Sequence, residues 1–236
     1  MNTHGFILII LLVAPATVGL AQERVVGGVG SFHLTVQQQT TDALNTRLTG
    51  AGYPSLATAP VTLGGSGYGF IRNLVLGGEG GGFYQARSVR GDAARQFGGG
   101  MGFVDVGYVV RSATKLLVYP VVGIGGGGVS LLLQRTGESI GFSSLLANPA
   151  VGLERQGTTL TYGSLLGRIA INADYFPTTS SAKHGGMLIG LSVGYRTTLS
   201  DSGWRTAGAL VADAPVFTLS GFYASLKLGG GFWKRK

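Results

Sequence analysis

The chain has 236 residues, of which 43 are glycine, and only 12% of its residues are charged. Glycine weakens helices and 44% of the residues are hydrophobic, which together exclude a helical bundle and a disordered chain. The absence of cysteine excludes disulfides and thiolate sites, and the formal charge of +8 is carried by mostly isolated basic residues, so no nucleic-acid partner is predicted.

The first 21 residues have the pattern of an export signal. An uninterrupted apolar run covers residues 6–13, Pro15 ends it, and Gly19 and Ala21 stand where a signal peptidase reads small residues. The run is shorter than the roughly 20 apolar residues that a membrane-spanning helix needs. We therefore expect a signal peptide over residues 1–21, cleaved after Ala21, and a single β-barrel domain over residues 22–236.

The rest of the chain alternates between apolar and polar residues with a period of two, which indicates β-strands. In residues 103–111, Val104, Val106 and Val110 occupy even positions, while Asp105 and Arg111 occupy odd ones. Similar patterns predict strands in the other segments. The segment 116–134 is the exception, because it is glycine-rich and has apolar residues at both odd and even positions. Together these segments predict eight strands, over residues 25–36, 60–71, 74–87, 97–111, 116–134, 161–176, 186–198 and 216–232.

The predicted connections alternate in length, with short ones after strands 2, 4 and 6. The longer ones cover residues 37–59, 88–96, 135–160 and 199–215. An even number of strands with short turns at one end is typical of an outer-membrane barrel. The sequence thus predicts an all-β, antiparallel up-and-down barrel of about eight strands. A short helix is predicted in the first long loop, where Asp42 is placed to cap residues 43–48 and Leu44 lies one turn from Leu48.

The composition of the polar face favours a membrane barrel over a soluble one. A soluble lipocalin-like barrel turns its apolar residues inward and its charges outward, whereas a membrane barrel does the reverse. Here the polar face consists mainly of glycine, serine and threonine with isolated charges, which suits a narrow interior. Aromatic residues also cluster towards the predicted strand ends, where they would lie at the water–lipid boundary: Phe70, Tyr108, Tyr119, Tyr175, Phe176, Phe232 and Trp233 at the short-turn end, and Phe83, Tyr84, Phe97, Tyr162, Tyr195 and Phe217 at the other.

Isolated charges on the polar face are candidates for ion pairs inside the barrel, because an unpaired buried charge is costly. The candidates are Glu79, Asp105, Arg168, Asp174, Arg196 and Lys227. We expect Glu79 to pair with Arg168 or Lys227, and Asp105 to pair with Arg111 or Arg196. Their expected role is structural.

These strands and loops resemble the small eight-stranded outer-membrane barrels of the OmpA-transmembrane, OmpX and OmpW kind, over residues 25–233. The resemblance implies two partners, outer-membrane lipid and the outer-membrane assembly machinery. In that group the machinery recognises a terminal aromatic residue, whereas here Phe232 and Trp233 precede Lys-Arg-Lys.

Two further patterns resemble chemical motifs. Residues 123–128 match G-x-G-x-x-G, but the β-like VSLLL that follows and the lack of a suitably spaced acidic residue favour a glycine-rich strand over a dinucleotide site. His33 near Asp42 is the single candidate for a catalytic pair, and a lone strand histidine is more often structural. We therefore expect no catalytic residues, no metal site and no cofactor.

Three functions remain open from the sequence. The first is an exported outer-membrane barrel with a structural or surface-interaction role, whose surface ligand the sequence does not identify. The second is a narrow outer-membrane channel or carrier for small or hydrophobic molecules. The third is a soluble secreted lipocalin-like barrel that binds an apolar ligand.

Overall fold

The computed structural model describes residues 24–135, 157–177 and 184–235, so the predicted cleavage site lies outside the described residues. One helix and ten strands follow each other along the chain. They are β1 (Val25–Gln37), α1 (Asp42–Gly50), β2 (Val61–Ile71), β3 (Leu74–Arg90), β4 (Ala93–Tyr108), β5 (Arg111–Ala113), β6 (Leu116–Arg135), β7 (Thr158–Tyr175), β8 (His184–Thr206), β9 (Ala209–Leu210) and β10 (Gly221–Arg235).

Eight long strands form a closed antiparallel barrel, in the order β1-β2-β3-β4-β6-β7-β8-β10. The first and last strands close it, from Val25 opposite Arg235 to Gln37 opposite Tyr223. The short strand β5 pairs with β6, and the short strand β9 pairs with β8, both in antiparallel orientation. This confirms the predicted eight-stranded up-and-down barrel with a short helix in the first long connection.

The structure corrects several predicted boundaries. The predicted loop 88–96 is mostly strand, because β3 and β4 continue pairing to Arg90 opposite Ala93 and are joined by a turn at residues 91–92. Similarly, β8 continues to Thr206 where a loop was predicted, and β10 begins at Gly221 rather than at residue 216. In α1 the cap position is Thr41 rather than Asp42, and it makes no side-chain cap hydrogen bond.

Through the middle of the strands, side chains alternate between the inside and the outside of the barrel. In β1, for example, His33, Thr35 and Gln37 are buried, whereas Phe32 and Leu34 are exposed. Exposed apolar side chains surround the barrel in what we call the apolar belt, which includes Phe32, Leu34, Leu63, Leu76, Val104, Val106, Val122, Ile124, Ile169, Ile171, Leu191, Val193, Leu226 and Leu228.

Inside the barrel, two apolar clusters lie one near each end. The short-turn cluster includes Phe70, Leu117, Phe176 and Trp233, which belong to the short-turn end of the strands. The loop-end cluster consists of Leu44, Leu48, Leu56, Phe83, Phe97, Met101, Phe103, Val129, Leu131, Tyr162, Leu166, Trp204, Phe217 and Leu219. Eight-stranded barrels have interiors just wide enough for side chains to fill. Within the described residues, no helix is long and apolar enough to cross a membrane.

Candidate functional site

The middle of the barrel contains a buried network of charged side chains. Arg168 on β7 pairs with Glu79 on β3, and its Nε lies 3.2 Å from Oδ1 of Asp105 on β4. Arg196 on β8 supplies a second cation to Glu79, with Nη2 2.8 Å from Oε1, and its Nη1 donates to Oε1 of Gln37 at 2.5 Å. Two arginines and two carboxylates are thus joined across the barrel from four different strands.

A second buried group, which we count together with the first as the ion network, is built around Lys227 on β10. Its Nζ lies 2.5 Å from Oδ1 of Asp174 and donates a 3.2 Å hydrogen bond to Oδ1 of Asn172. Asp174 also accepts a 2.6 Å hydrogen bond from the hydroxyl of Tyr119. All these side chains are buried.

The network compensates its own charge. It contains three carboxylates and three cations, and each carboxylate has at least one cationic partner. Because an unpaired charge in this interior would be strongly unfavourable, these contacts constrain which side chains can face one another. Each carboxylate is held by a cationic side chain. The arrangement therefore neutralises the buried negative charges.

The structure brings all six sequence-predicted residues into this network, but not always with the predicted partners. Glu79 contacts Arg168, whereas Lys227 contacts Asp174 instead of Glu79. The pairing predicted for Asp105 was wrong. Its ionic partner is Arg168, while Arg111 lies exposed on β5.

Sequence reasoning missed the neutral members of the network. Tyr68 donates a 3.0 Å hydrogen bond to Oδ2 of Asp105, and the Tyr223 ring stacks under Arg196 with its centroid 4.0 Å from Cζ. Alternation does place Tyr223 on the polar face with Ser225 and Lys227, but it does not predict the contact with Arg196.

The predicted aromatic boundary is only partly correct. Tyr84, Tyr108, Tyr175, Tyr195 and Phe232 point outward, but the other predicted members are buried in the interior clusters. These are Phe70, Tyr119, Phe176 and Trp233 at the short-turn end, and Phe83, Phe97, Tyr162 and Phe217 at the loop end. The inward rings fill the interior at the two ends of the barrel, where large side chains are needed to occupy the space.

The helix α1 closes the loop end of the barrel. Its Leu44 and Leu48 are buried in the loop-end cluster. The segment that follows is held by Arg95, whose Nη2 donates to the carbonyl oxygen of Ser55 at 2.5 Å. At the rim, Arg135 donates to the carbonyl oxygen of Ala51 at 2.9 Å and pairs with Asp92. The hydrogen bond and charge of Asp92 raise the pKa of Arg135.

The two motif-like patterns lie in ordinary strand structure. Residues 123–128 are part of β6, which continues to Arg135. His33 is buried inside the barrel opposite Gly64, whereas Asp42 is exposed at the start of α1, so the structure does not bring the two together. Among the residues that the structure describes, no group of three or more His, Asp or Glu side chains could hold a metal ion.

The exterior of the barrel requires a lipid environment. Val104 is 73% and Phe32 81% exposed, and the described positions of the apolar belt carry no charge. At roughly 3.3 Å per residue and a tilt near 40°, the outward residues from Val26 to Val36 span about 25 Å, the height of the apolar band in outer-membrane barrels. We conclude that the chain is an outer-membrane β-barrel. The soluble alternative is wrong, because it requires Val104 to be inside and Arg168 to face water.

No protein-family model matches this sequence, and no curated protein matches it. Among solved structures, the chain is similar to Ail, the attachment invasion locus protein of Yersinia pestis, in complex with the heparin analogue sucrose octasulfate, with a TM-score of 0.47 and 12% identity over 89% of this chain and 99% of Ail. A major outer membrane protein from Thermus thermophilus gives a TM-score of 0.44 and 11% identity, over 88% of this chain and 99% of that one. The outer membrane protease OmpT from Escherichia coli gives a TM-score of 0.32 and 8% identity, over 90% and 95% of the two chains.

Proposed function

We propose that the protein is an exported outer-membrane barrel whose loop end has a structural or surface-interaction role, without catalysis. The observation that carries the proposal is the position of α1 at the mouth of the barrel, where Leu44 and Leu48 are buried in the loop-end cluster. Its other face, with Arg47 and Thr49, is exposed. A fixed outer surface over a filled interior suits contact with other molecules better than transport through the barrel.

The filled interior argues against the channel alternative. A solute that entered at the loop end would meet Phe97 and Phe217, then the ion network, then Phe70 and Trp233. Passage would require both apolar clusters to open and the buried ion pairs to separate, which is costly.

Exposed apolar residues near the mouth support a contact surface. Leu210, on the β8–β9 hairpin, is 66% exposed, and Val216, in the connection to β10, is 80% exposed. Both belong to the loop end rather than to the lipid-facing belt. These two side chains are therefore the positions at which we test for a contact surface.

The orientation can be tested with single cysteines, because the chain has none of its own. Arg47→Cys on α1 should react with a membrane-impermeant maleimide in intact cells. The matched variant Arg111→Cys at the opposite end should react only after the outer membrane is permeabilised. Reaction of Arg111→Cys in intact cells, or protection of Arg47→Cys, would contradict the orientation.

The interaction role can be tested with a loop-end variant that leaves the barrel unchanged. Cells producing Leu210→Ser/Val216→Ser should lose attachment to solid surfaces or resistance to vancomycin relative to wild type. The control is Thr46→Ser/Thr49→Ser on the exposed face of α1, which alters a nearby surface minimally. Unchanged attachment and unchanged resistance in the first variant would count against this role.

The proposal also includes cleavage of the signal peptide and insertion of the barrel by the outer-membrane assembly machinery. The mature protein should begin at Gln22, as measured by mass spectrometry of the chain purified from outer membranes. Depletion of the outer-membrane assembly machinery should reduce the amount of folded barrel there. A retained residue 1–21 segment would contradict the proposed cleavage, and unchanged insertion would contradict the proposed assembly route.

A further inference from the structure

The short-turn end of the barrel carries exposed charges of one sign. Arg24, Arg72, Arg111, Lys115 and Lys234 are all exposed, and we call them the cationic rim. Within the described part of the chain, the only carboxylate near this end is Asp174, which is buried and paired with Lys227. Among the described residues, the rim charges therefore have no exposed acidic neighbour at this end.

The rim follows the barrel wall from β10 through β1 to β6 instead of forming one patch. Lys234 is on β10 opposite Val26, and Arg24 precedes β1. Arg72 is in the β2–β3 turn, and Arg111 and Lys115 flank the β5–β6 turn. A surface arranged in this way fits a partner that itself surrounds the barrel.

Each part of the rim adjoins lipid-facing side chains. Arg72 follows Ile71, Arg111 follows Val110, and Phe232 is one outward position from Lys234. The cations thus lie immediately beyond the edge of the apolar belt. This is the depth at which phospholipid headgroups meet the hydrocarbon.

The loop end has a different charge pattern. Exposed cations there, such as Arg47, Arg90 and Arg205, are interspersed with the exposed acids Asp42 and Asp92. The single-sign ring is therefore a property of one end only, among the residues that the structure describes. A difference between the ends points to a partner found on one side of the membrane.

We propose that the cationic rim binds the phosphate groups of anionic phospholipids in the periplasmic leaflet. Short turns of outer-membrane barrels face the periplasm, and basic residues at a membrane surface attract anionic headgroups. Headgroups in that leaflet surround the barrel at the depth of the rim. Their phosphates supply negative charge that the described residues at this end do not expose.

The test compares lipid selectivity of the full chain in vesicles of equal parts phosphatidylcholine and phosphatidylglycerol. Electron paramagnetic resonance with spin-labelled lipids measures which of the two associates with the barrel. The wild type should prefer phosphatidylglycerol by about fivefold or more, and high salt should remove the preference, since surface charge is screened.

The decisive variant is Arg72→Gln/Arg111→Gln/Lys115→Gln/Lys234→Gln, in which the preference should fall well below that of the wild type, because Arg24 alone of the five rim cations remains. The matched control, Arg47→Gln/Arg87→Gln/Arg90→Gln/Arg205→Gln, removes the same charge from the loop end and should keep the preference. Heat-modifiable gel mobility checks that both variants are folded. If the first fails to fold, Arg111→Gln/Lys115→Gln should reduce the preference partially.

Three results would overturn the proposal. The first is wild-type selectivity in a folded rim variant. The second is loss of selectivity in the loop-end control alone. The third is binding of soluble polyglutamate by the wild type without any preference for phosphatidylglycerol, which would assign the rim to a soluble periplasmic polyanion.

Discussion

Arg168 holds a central position in the buried network because its guanidinium contacts two carboxylates from neighbouring strands, Glu79 and Asp105. Glu79 has a second cationic partner in Arg196. Asp105 has a hydrogen bond from Tyr68 in addition to its ion pair with Arg168. The two carboxylates therefore depend on Arg168 to different degrees, and this difference can be measured.

Replacing Arg168 with Met should lower the free energy of unfolding by about 3–5 kcal/mol, because a buried carboxylate loses its partner. Urea unfolding in lipid vesicles measures the change. Adding Asp105→Asn should recover more stability than adding Glu79→Gln, since Asp105 loses its ion pair. The exposed control Arg87→Met should change the free energy by no more than about 0.5 kcal/mol. Equal effects of Arg168→Met and Arg87→Met would contradict the role of the network.

Adjacent glycines in β6 differ in which side of the barrel they face. A methyl group on inward Gly125 would collide with the carbonyl oxygen of Gly102 and approach the ring of Phe103 at 2.8 Å. On outward Gly126, the nearest atom would be the carbonyl oxygen of Ser164 at 3.7 Å. Of these two neighbouring glycines, only inward Gly125 therefore has a packing role.

Gly125→Ala should thus destabilise the barrel by about 1–3 kcal/mol through overpacking. Gly126→Ala should change the free energy of unfolding by about 0.5 kcal/mol or less. Urea titrations of the two variants side by side provide the measurement. A larger loss for Gly126→Ala than for Gly125→Ala would show that the register of β6 is different.

At the scale of elements, α1 is held in the mouth mainly by two leucines. Leu44→Ala/Leu48→Ala removes these contacts, and each buried Leu→Ala change costs about 2–5 kcal/mol. Because α1 is not part of the barrel wall, the lost stability should appear as local detachment of α1 and not as unfolding of the barrel. Trypsin should then cleave after Arg47 faster in the double variant, while gel mobility of the barrel stays that of a folded barrel. Unaltered cleavage relative to Thr46→Ser/Thr49→Ser would contradict this docking.

The sequence predicted correctly those strands in which apolar and polar residues alternate without interruption. In β4, the valines at 104 and 106 predict both the strand and its outward face, and exposure confirms them. The extension of β3 and β4 to Arg90 and Ala93 could not be predicted, because these residues lack clear alternation and pair only through the hairpin. The ionic partner of Asp105 could not be predicted either, because it depends on the stagger between strands, which the sequence pattern does not determine.

For the whole molecule, the filled interior predicts electrical silence. Wild-type protein inserted in a planar bilayer should give no steady conductance, because two apolar clusters and the ion network lie in series. Leu44→Ala/Leu48→Ala should also be silent, since the network and the short-turn cluster with Phe70 and Trp233 remain. A porin inserted under the same conditions controls for detection. Steady conductance of the wild type would restore the channel alternative.

The pairing of β1 with β10 has a consequence for how the molecule is made. The two strands that complete the ring are the first and the last along the chain, so the seam cannot form until β10 has been made. Until then, both strands have unsatisfied backbone groups, which hydrocarbon does not tolerate. Ring closure and entry into the bilayer are therefore coupled late events in biogenesis, and a polypeptide released before Gly221 would pair its first strand with β2 alone and leave the other edge of that strand open.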